Sequence, residues 1–543
     1  MASGAGQGLR TRGLGWLAWT VLALAWLATV QVRPMLDPDE GRYAEIPREM
    51  LASGDWITPR FDGLKYFEKP PLQYWATAAV YSVAGLHEWS SRLWSVGLAF
   101  ACLAVVFGWS RRRYGPDAAR AALVALAVSP FFLIIGHLNL LDAGFTLWLS
   151  GAVFAFTLAQ CGPPGGRAER AWMLTAWAAA ALAVLSKGIV VGVLAGGALI
   201  VYTLLERDAR TWRRLHLIGG VPLFLALTAP WFIVVSARNP DFAQFFFVHE
   251  HFTRFLTTVH QRVEPWWYFL PLLLLGALPW IAPLVRGVAP AWQEAGGDFK
   301  PRKFLLIFAT VTLVFFSASG SKLAPYILPM FPPLAAIAGV QAAQRPRFAA
   351  HAARIGAGLV AFIAAGLLVY SALRNSFVPH AALEWALAAC LVALAAVLVT
   401  WRGTWAAPQH AVATAAAAIL AWQCLLCEYT VIPPSRSARD LVAAARPYVG
   451  PLTSLYSVGQ YRETVSPYLG RTLTLVDYEG ELQFGLRAEP GRQMATPEAF
   501  AARWSASRDA VAFFDPGVWD SWRRRGLPGR VIAADSYTVA VSR

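Results

Sequence analysis

Acidic residues are scarce in this chain: 32 Asp and Glu stand against 47 Lys and Arg, and charged residues make up only 15% of 543 positions. Soluble domains usually carry about 25%, so a wholly soluble protein is excluded. Cysteine is scarce too, with five residues (102, 161, 390, 424 and 427), all in or beside apolar runs. None falls after residue 428, so no disulfide framework is expected in the hydrophilic tail. There is no G-x-S-x-G, Walker loop or H-E-x-x-H, hence no motif for a serine hydrolase, an ATPase or a zinc protease. The net charge of +15 comes from short arginine clusters between apolar runs. That pattern anchors cytoplasmic loops rather than binding nucleic acid.

What the sequence has in abundance is apolar surface, 57% hydrophobic and 13% aromatic. Runs long enough to cross the hydrocarbon core as helices recur from residue 14 to 428, and the last 115 residues have none. The expected architecture is mainly α, a polytopic membrane domain over 1–428 followed by a small soluble α/β domain over 429–543. The first span, 14–32, lacks an A-x-A-like cleavage site and reads as retained. Arg10 and Arg12 place the amino terminus in the cytoplasm.

The segment 71–87 decides the topology. If it crossed, the arginines of "RRRYG" between the apolar runs 91–110 and 119–136 would face outward. It is short and starts at a double proline, so it reads as an interfacial helix. The first outer loop is then 33–90 and the second large one 237–266, and the remaining basic clusters fall inside. Further spans are expected at 143–161, 172–186, 188–205, 216–236, 267–287, 303–318, 325–343, 351–373, 383–401 and 408–428. About thirteen helices result, which leaves the tail outside. Within it, "LTSLYSV", "RTLTLV", "AVAFF" and "YTVAVS" read as strands and "SARDLVAAARPYV" as a helix.

Polar chemistry concentrates in the outer loops. "MLDPDEGRYAEIPREM", residues 35–50, holds five acids. Asp37 beside Pro38 reads as a turn former. Asp39 and Glu40 open a helix, where negative charge suits the macrodipole, and Glu45 and Glu49 share one face of an interfacial helix. Lys69, Arg42, Arg254 and Lys322 could neutralise a lipid phosphate; the plain alternative is snorkelling. His249 or His251 in "HEH", with Glu68, would suit zinc or manganese but supplies only two ligands.

Three stretches carry a resemblance. "LDPDEGRYAEIPREMLASGDWITPRFDGLKYFEKPPLQYW", "LNLLDAGFTLWL" and "SKLAPYILPMFPPLA" are similar to motif regions of the GT-C membrane glycosyltransferases of the protein mannosyltransferase superfamily, and within it of the bacterial lipid A aminoarabinose transferases. Ala324 departs from the proline common in the third motif. The resemblance implies a GT-C fold, undecaprenyl phosphate as sugar carrier, a phosphate of lipid A as acceptor, and polymyxin resistance as the outcome. The active site would face the periplasm from the inner membrane. It implies Asp39 and Asp142 as the essential loop carboxylates, and Arg42, Tyr43, Tyr66, Glu68, Lys69 and Arg254 around the donor head group, with Tyr326 and Lys322 nearby. Chemistry on a glycosyl phosphate needs no cofactor; a divalent metal such as zinc, held by Glu68 and His249, could accompany it. Two rivals remain: the same fold with a protein or glycan acceptor, and a transporter of the lipid-linked sugar. A transporter would place charges near the midplane and show internal repeats; the polar residues here crowd the outer loops.

Overall fold

The computed structural model describes residues 16–253, 264–295, 297–344, 347–402, 408–434, 436–494 and 496–543. The chain forms two compact units. One comprises Met1–Val30, Ser95–Ser236 and Ala243–Val431; the other comprises Gln31–Trp94, Ala237–Phe242 and Ile432–Arg543. The grouping cuts across the division expected at residue 428, because the loop after the first apolar helix clusters with the C-terminal residues.

The chain is a multi-pass membrane protein. Among the described residues, eight helices are long and apolar enough to cross a bilayer, or nine if the bent pair Phe269–Gly276 and Ile281–Trp292 is one span. The sequence predicts thirteen whole spans; the difference arises in part where the structure breaks a run, and in part because Glu88–Ala127 counts once although it covers one expected span and the first half of another. The run 119–136 is interrupted before Pro130, where a separate short helix Pro130–Gly136 begins. The run 267–287 becomes the pair bent by 106° around Pro279, and Val190–Glu206 is a short apolar helix; of the first span, the described residues include the helix Trp16–Leu27. Proline explains the two breaks, since it removes a backbone donor and clashes with the preceding turn. "RRRYG" ends a helical stretch at Gly115, which is non-helical at φ +88°. Gly188, at φ +98°, separates Arg167–Lys187 from Val190–Glu206 in a backbone region that favours glycine. Lys187 is thereby left at a helix end.

The second unit is built around a six-stranded sheet. Its strands are β3 (Ser454–Val458), β4 (Thr474–Val476), β5 (Gln493–Met494), β6 (Ala510–Phe514), β7 (Arg530–Ala534) and β8 (Val539–Ser542), after a small antiparallel ribbon of β1 (Arg60–Phe61) and β2 (Leu64–Lys65). The order is β5-β4-β3-β6-β8-β7, parallel from β5 to β6 and antiparallel at β8 and β7. Every residue of β6 is buried, as a central strand covered on both faces requires. Tyr456, Phe500, Trp504, Phe514 and Trp519 fill the core. All four expected strands and the expected helix form. β5 and β7 leave no clear signal in the sequence, because they are edge strands with little burial contrast.

The first-loop helix Asp39–Ser53 starts with Asp39 and Glu40 and stops at Gly54, whose left-handed backbone donates to Met50 O. The helix Leu72–Ala84 has 13 residues, about 20 Å, too short for a hydrocarbon core of about 30 Å. Two readings of the opening acids are corrected here. Glu45 and Glu49 do not form a polar surface. Both are buried; Glu45 pairs with Arg48 (2.7 Å to Nε) and Glu49 accepts Gly63 N at 2.8 Å. Asp37 is more than a turn former, since it accepts Arg462 Nε and Thr464 N, each at 2.8 Å. Arg462 also pairs with Asp535. Gly41 packs so closely on this segment that a Cβ would lie 2.5 Å from the carbonyl carbon of Glu463.

Asp62 lies in the same interior, accepting Leu473 N at 2.8 Å and Ser466 Oγ at 3.1 Å. Burial, reinforced by Glu45, pushes its carboxyl up from 3.8 to about 8. Between these values the folded state keeps a proton that the unfolded state has released, so stability falls as pH rises from about 4 to about 8. Asp62→Asn should flatten part of that decline, read as the melting temperature in detergent from pH 5 to 8.5. An unchanged slope would refute the assignment.

Candidate active site

Polar residues of the first long loop converge on Arg42. It projects from the first turn of Asp39–Ser53, three residues after Asp39 and hence on the same helix face. Its Nη1 donates to Asp39 Oδ1 at 2.8 Å, its Nε to Glu481 Oε1 at 3.2 Å, and its Nη2 to Glu481 Oε2. The Arg42 side chain is 7% exposed, while Asp39 is 48% exposed. A guanidinium gripping one carboxylate with two donors is held in one geometry.

Aromatic rings wall this cluster. Tyr43 stacks on Tyr74 with centroids 6.0 Å apart, and Phe61 meets Tyr66 edge-on at 5.5 Å. The hydroxyls of Tyr66 and Tyr74 are buried and make no hydrogen bond among the described residues. Leaving a buried hydroxyl unpaired costs about 1–3 kcal/mol, so two in one wall mark a surface built to meet a polar group. Burial pushes both phenols up, partly offset by Arg42. Lys69 Nζ donates to the Glu68 carbonyl at 2.8 Å and lies 3.9 Å from its carboxylate.

Glu40 is engaged elsewhere. It receives Arg92 Nε at 2.7 Å and Nη2 at 2.8 Å in a fully buried pair. The same Arg92 donates to the carbonyls of Arg33 and Pro34. This pairing ties the start of the loop to the helix beginning at Glu88.

The membrane unit holds a second cluster. Asp142, in the first turn of Leu141–Cys161, pairs with Lys187, the last residue of Arg167–Lys187. The Lys187 ammonium lies 4.7 Å from the ring centre of Tyr326 and 5.3 Å from that of Phe145, and the pair is nearly buried, at 10% and 12% exposure. Lys322 is instead engaged by the Ser319 carbonyl at 2.7 Å. Arg254 and the side chain of His251 lie outside the described residues. His249 Nδ1 is 3.7 Å from Glu250 Oε1. Among the described residues no three His, Cys, Asp or Glu side chains gather as metal ligands, and Lys69 is the cation beside Glu68.

Three participants escape a reading of the sequence. Tyr74 shows there only as part of an interfacial helix. Lys187 carries a signal, a lysine followed by glycine at the break between two apolar runs, where an ionisable group at membrane depth is costly and usually functional. Glu481 carries none, since it lies in an unremarkable acidic turn, 439 residues from Arg42.

Known proteins resemble this arrangement along nearly the whole chain. The dolichyl-phosphate-mannose-protein mannosyltransferase model matches residues 16–246, and the aminoarabinose transferase C-terminal domain model matches 441–543. These matches and the helical membrane unit define the class as a multi-pass membrane glycosyltransferase. The undecaprenyl phosphate-alpha-4-amino-4-deoxy-L-arabinose arabinosyl transferase of Pseudomonas paraeruginosa is 32% identical over 518 residues, 90% of either chain. That of Edwardsiella ictaluri is 34% identical over 329 residues, 59% of this chain and 58% of its own. The crystal structure of ArnT from Cupriavidus metallidurans bound to undecaprenyl phosphate superimposes with a TM-score of 0.86 at 33% identity, covering 98% of both chains. The chain belongs to the undecaprenyl phosphate-aminoarabinose arabinosyl transferase family.

Proposed function

We propose that this protein moves 4-amino-4-deoxy-L-arabinose from undecaprenyl phosphate to a phosphate of lipid A, on the periplasmic face of the bacterial inner membrane, and so confers resistance to polymyxin. The observation that carries this reading is similarity over 90% of the chain to a transferase named for that donor, combined with a buried Arg42 and tyrosine cluster in the loop whose motif suggested the family.

The donor bond is a glycosyl phosphate ester, and the developing charge on the departing phosphate needs cations. Lys69 and Arg254 are the proposed cations, as the family resemblance implies; within the membrane unit, Asp142 and Tyr326 hold Lys187 in place. Tyr66 and Tyr74 offer hydroxyl donors to the head group, and Lys322 shapes its own loop through Ser319. A lipid A phosphate is already ionised at neutral pH, so it attacks the anomeric carbon without a strong general base, and the configuration inverts. Asp39, the exposed carboxylate of the Arg42 cluster, orients the sugar and stabilises positive charge on its ring. No step in this scheme is routed through a cofactor or metal.

The test uses purified full-length protein in detergent with undecaprenyl phosphate-aminoarabinose and lipid A. Lipid A should gain the mass of one aminopentose. Since no membrane separates the reactants, transfer excludes a transporter. Transfer to a protein or glycan but not to lipid A would overturn the acceptor assignment.

A further inference from the structure

The cluster around Arg42 has a charge balance unsuited to a phosphate. Asp39 and Glu481 already occupy the guanidinium, and Glu68 and Glu463 lie within electrostatic range of Glu481. Among the described residues, two carboxylates, Asp39 and Glu481, thus share the one guanidinium of Arg42. Burial drives the carboxyls of Glu481 and Glu463 up; Glu68 repels Glu481, and Glu481 repels Glu463. Packing alone does not favour this arrangement, because buried charge is costly unless paired. An incoming cation would relieve it.

Resting on the proposed function, we infer that Glu481, together with Asp39, forms a subsite for the ammonium group of the donor sugar, with Arg42 as the strut that fixes both carboxylates. The sugar differs from ordinary arabinose by one amine, and an ammonium donates charge-assisted hydrogen bonds to carboxylates where a hydroxyl gains far less. Glu481 comes from the turn after β4, so the C-terminal part of the chain supplies a specificity determinant as well as packing. The unpaired Tyr66 and Tyr74 hydroxyls fit the same ligand as donors to sugar oxygens.

The experiment compares two donors, undecaprenyl phosphate carrying 4-amino-4-deoxy-L-arabinose and undecaprenyl phosphate carrying L-arabinose, with wild type and Glu481→Gln. Glutamine keeps an acceptor for Arg42 but loses the charge. The variant should raise KM for the amino donor by about tenfold to hundredfold, the worth of one charge-assisted hydrogen bond. KM for the hydroxy donor and affinity for undecaprenyl phosphate alone should stay unchanged. Equal losses with both donors would show that Glu481 only positions Arg42 and would overturn the inference. Wild type provides a control independent of the variant's folding: it must bind the amino donor more tightly than the hydroxy donor, and equal affinities also overturn the subsite. Failure of wild type to transfer the amino sugar to lipid A would instead strike the proposed function.

Discussion

Asp39→Asn lowers transfer to lipid A by about a hundredfold or more, the scale seen when one group that stabilises a transition-state charge is removed, while the protein stays folded. The fold should survive because asparagine keeps an oxygen to accept Arg42 Nη1, the single hydrogen bond Asp39 makes to that residue. The side chain is half exposed, so little packing depends on it. Its negative charge is lost, and with it the proposed stabilisation of the sugar ring. Lipid A mass spectra and melting temperatures of purified protein separate the two effects. An unchanged aminopentose content in lipid A would remove Asp39 from the reaction.

Asp142→Ala has the other large effect, and it reaches stability as well as activity. Lys187 would be left charged, nearly buried and without its carboxylate partner. Removing one member of a buried pair costs about 3–5 kcal/mol. The remaining exposure of about a tenth and the Tyr326 and Phe145 rings temper this toward the lower end. The double variant Asp142→Ala, Lys187→Met should regain most of the stability, since an apolar pair of similar volume often replaces an ion pair without loss. It should not regain activity, because Asp142, the second loop carboxylate that the family resemblance makes essential, is gone. Thermal unfolding of the single and double variants, with transfer assayed in parallel, checks both parts. A single variant as stable as wild type would show that the pair is not the anchor argued here.

The residues legible in the sequence are those whose meaning is local. Asp39, Arg42, Tyr43, Tyr66, Glu68 and Lys69 sit in contiguous motifs, and the structure gathers Asp39 and Arg42 into one ion pair and puts Tyr43 and Tyr66 within reach of the same guanidinium. The short helix of the first loop is recoverable because its apolar run begins at a double proline and is too short to cross the hydrocarbon core. The acids of the same stretch are less legible. Glu40, Glu45 and Glu49 all look like surface charges, and each is buried by a specific partner: Arg92, Arg48 and the Gly63 amide.

By itself the sequence determined the membrane character, the short helix of the first loop, the four main strands of the C-terminal sheet and the loop that carries Asp39. These follow from hydropathy and its period, which neighbouring residues display. Only the tertiary structure decided that Asp37 is held by Arg462, that Arg42 is gripped by Glu481, and that Lys187 pairs with Asp142. Those partners lie 425, 439 and 45 residues apart. The physical reason is that a charge pairs with whatever the folded chain brings within a few ångströms, and spacing along the sequence carries no record of that encounter.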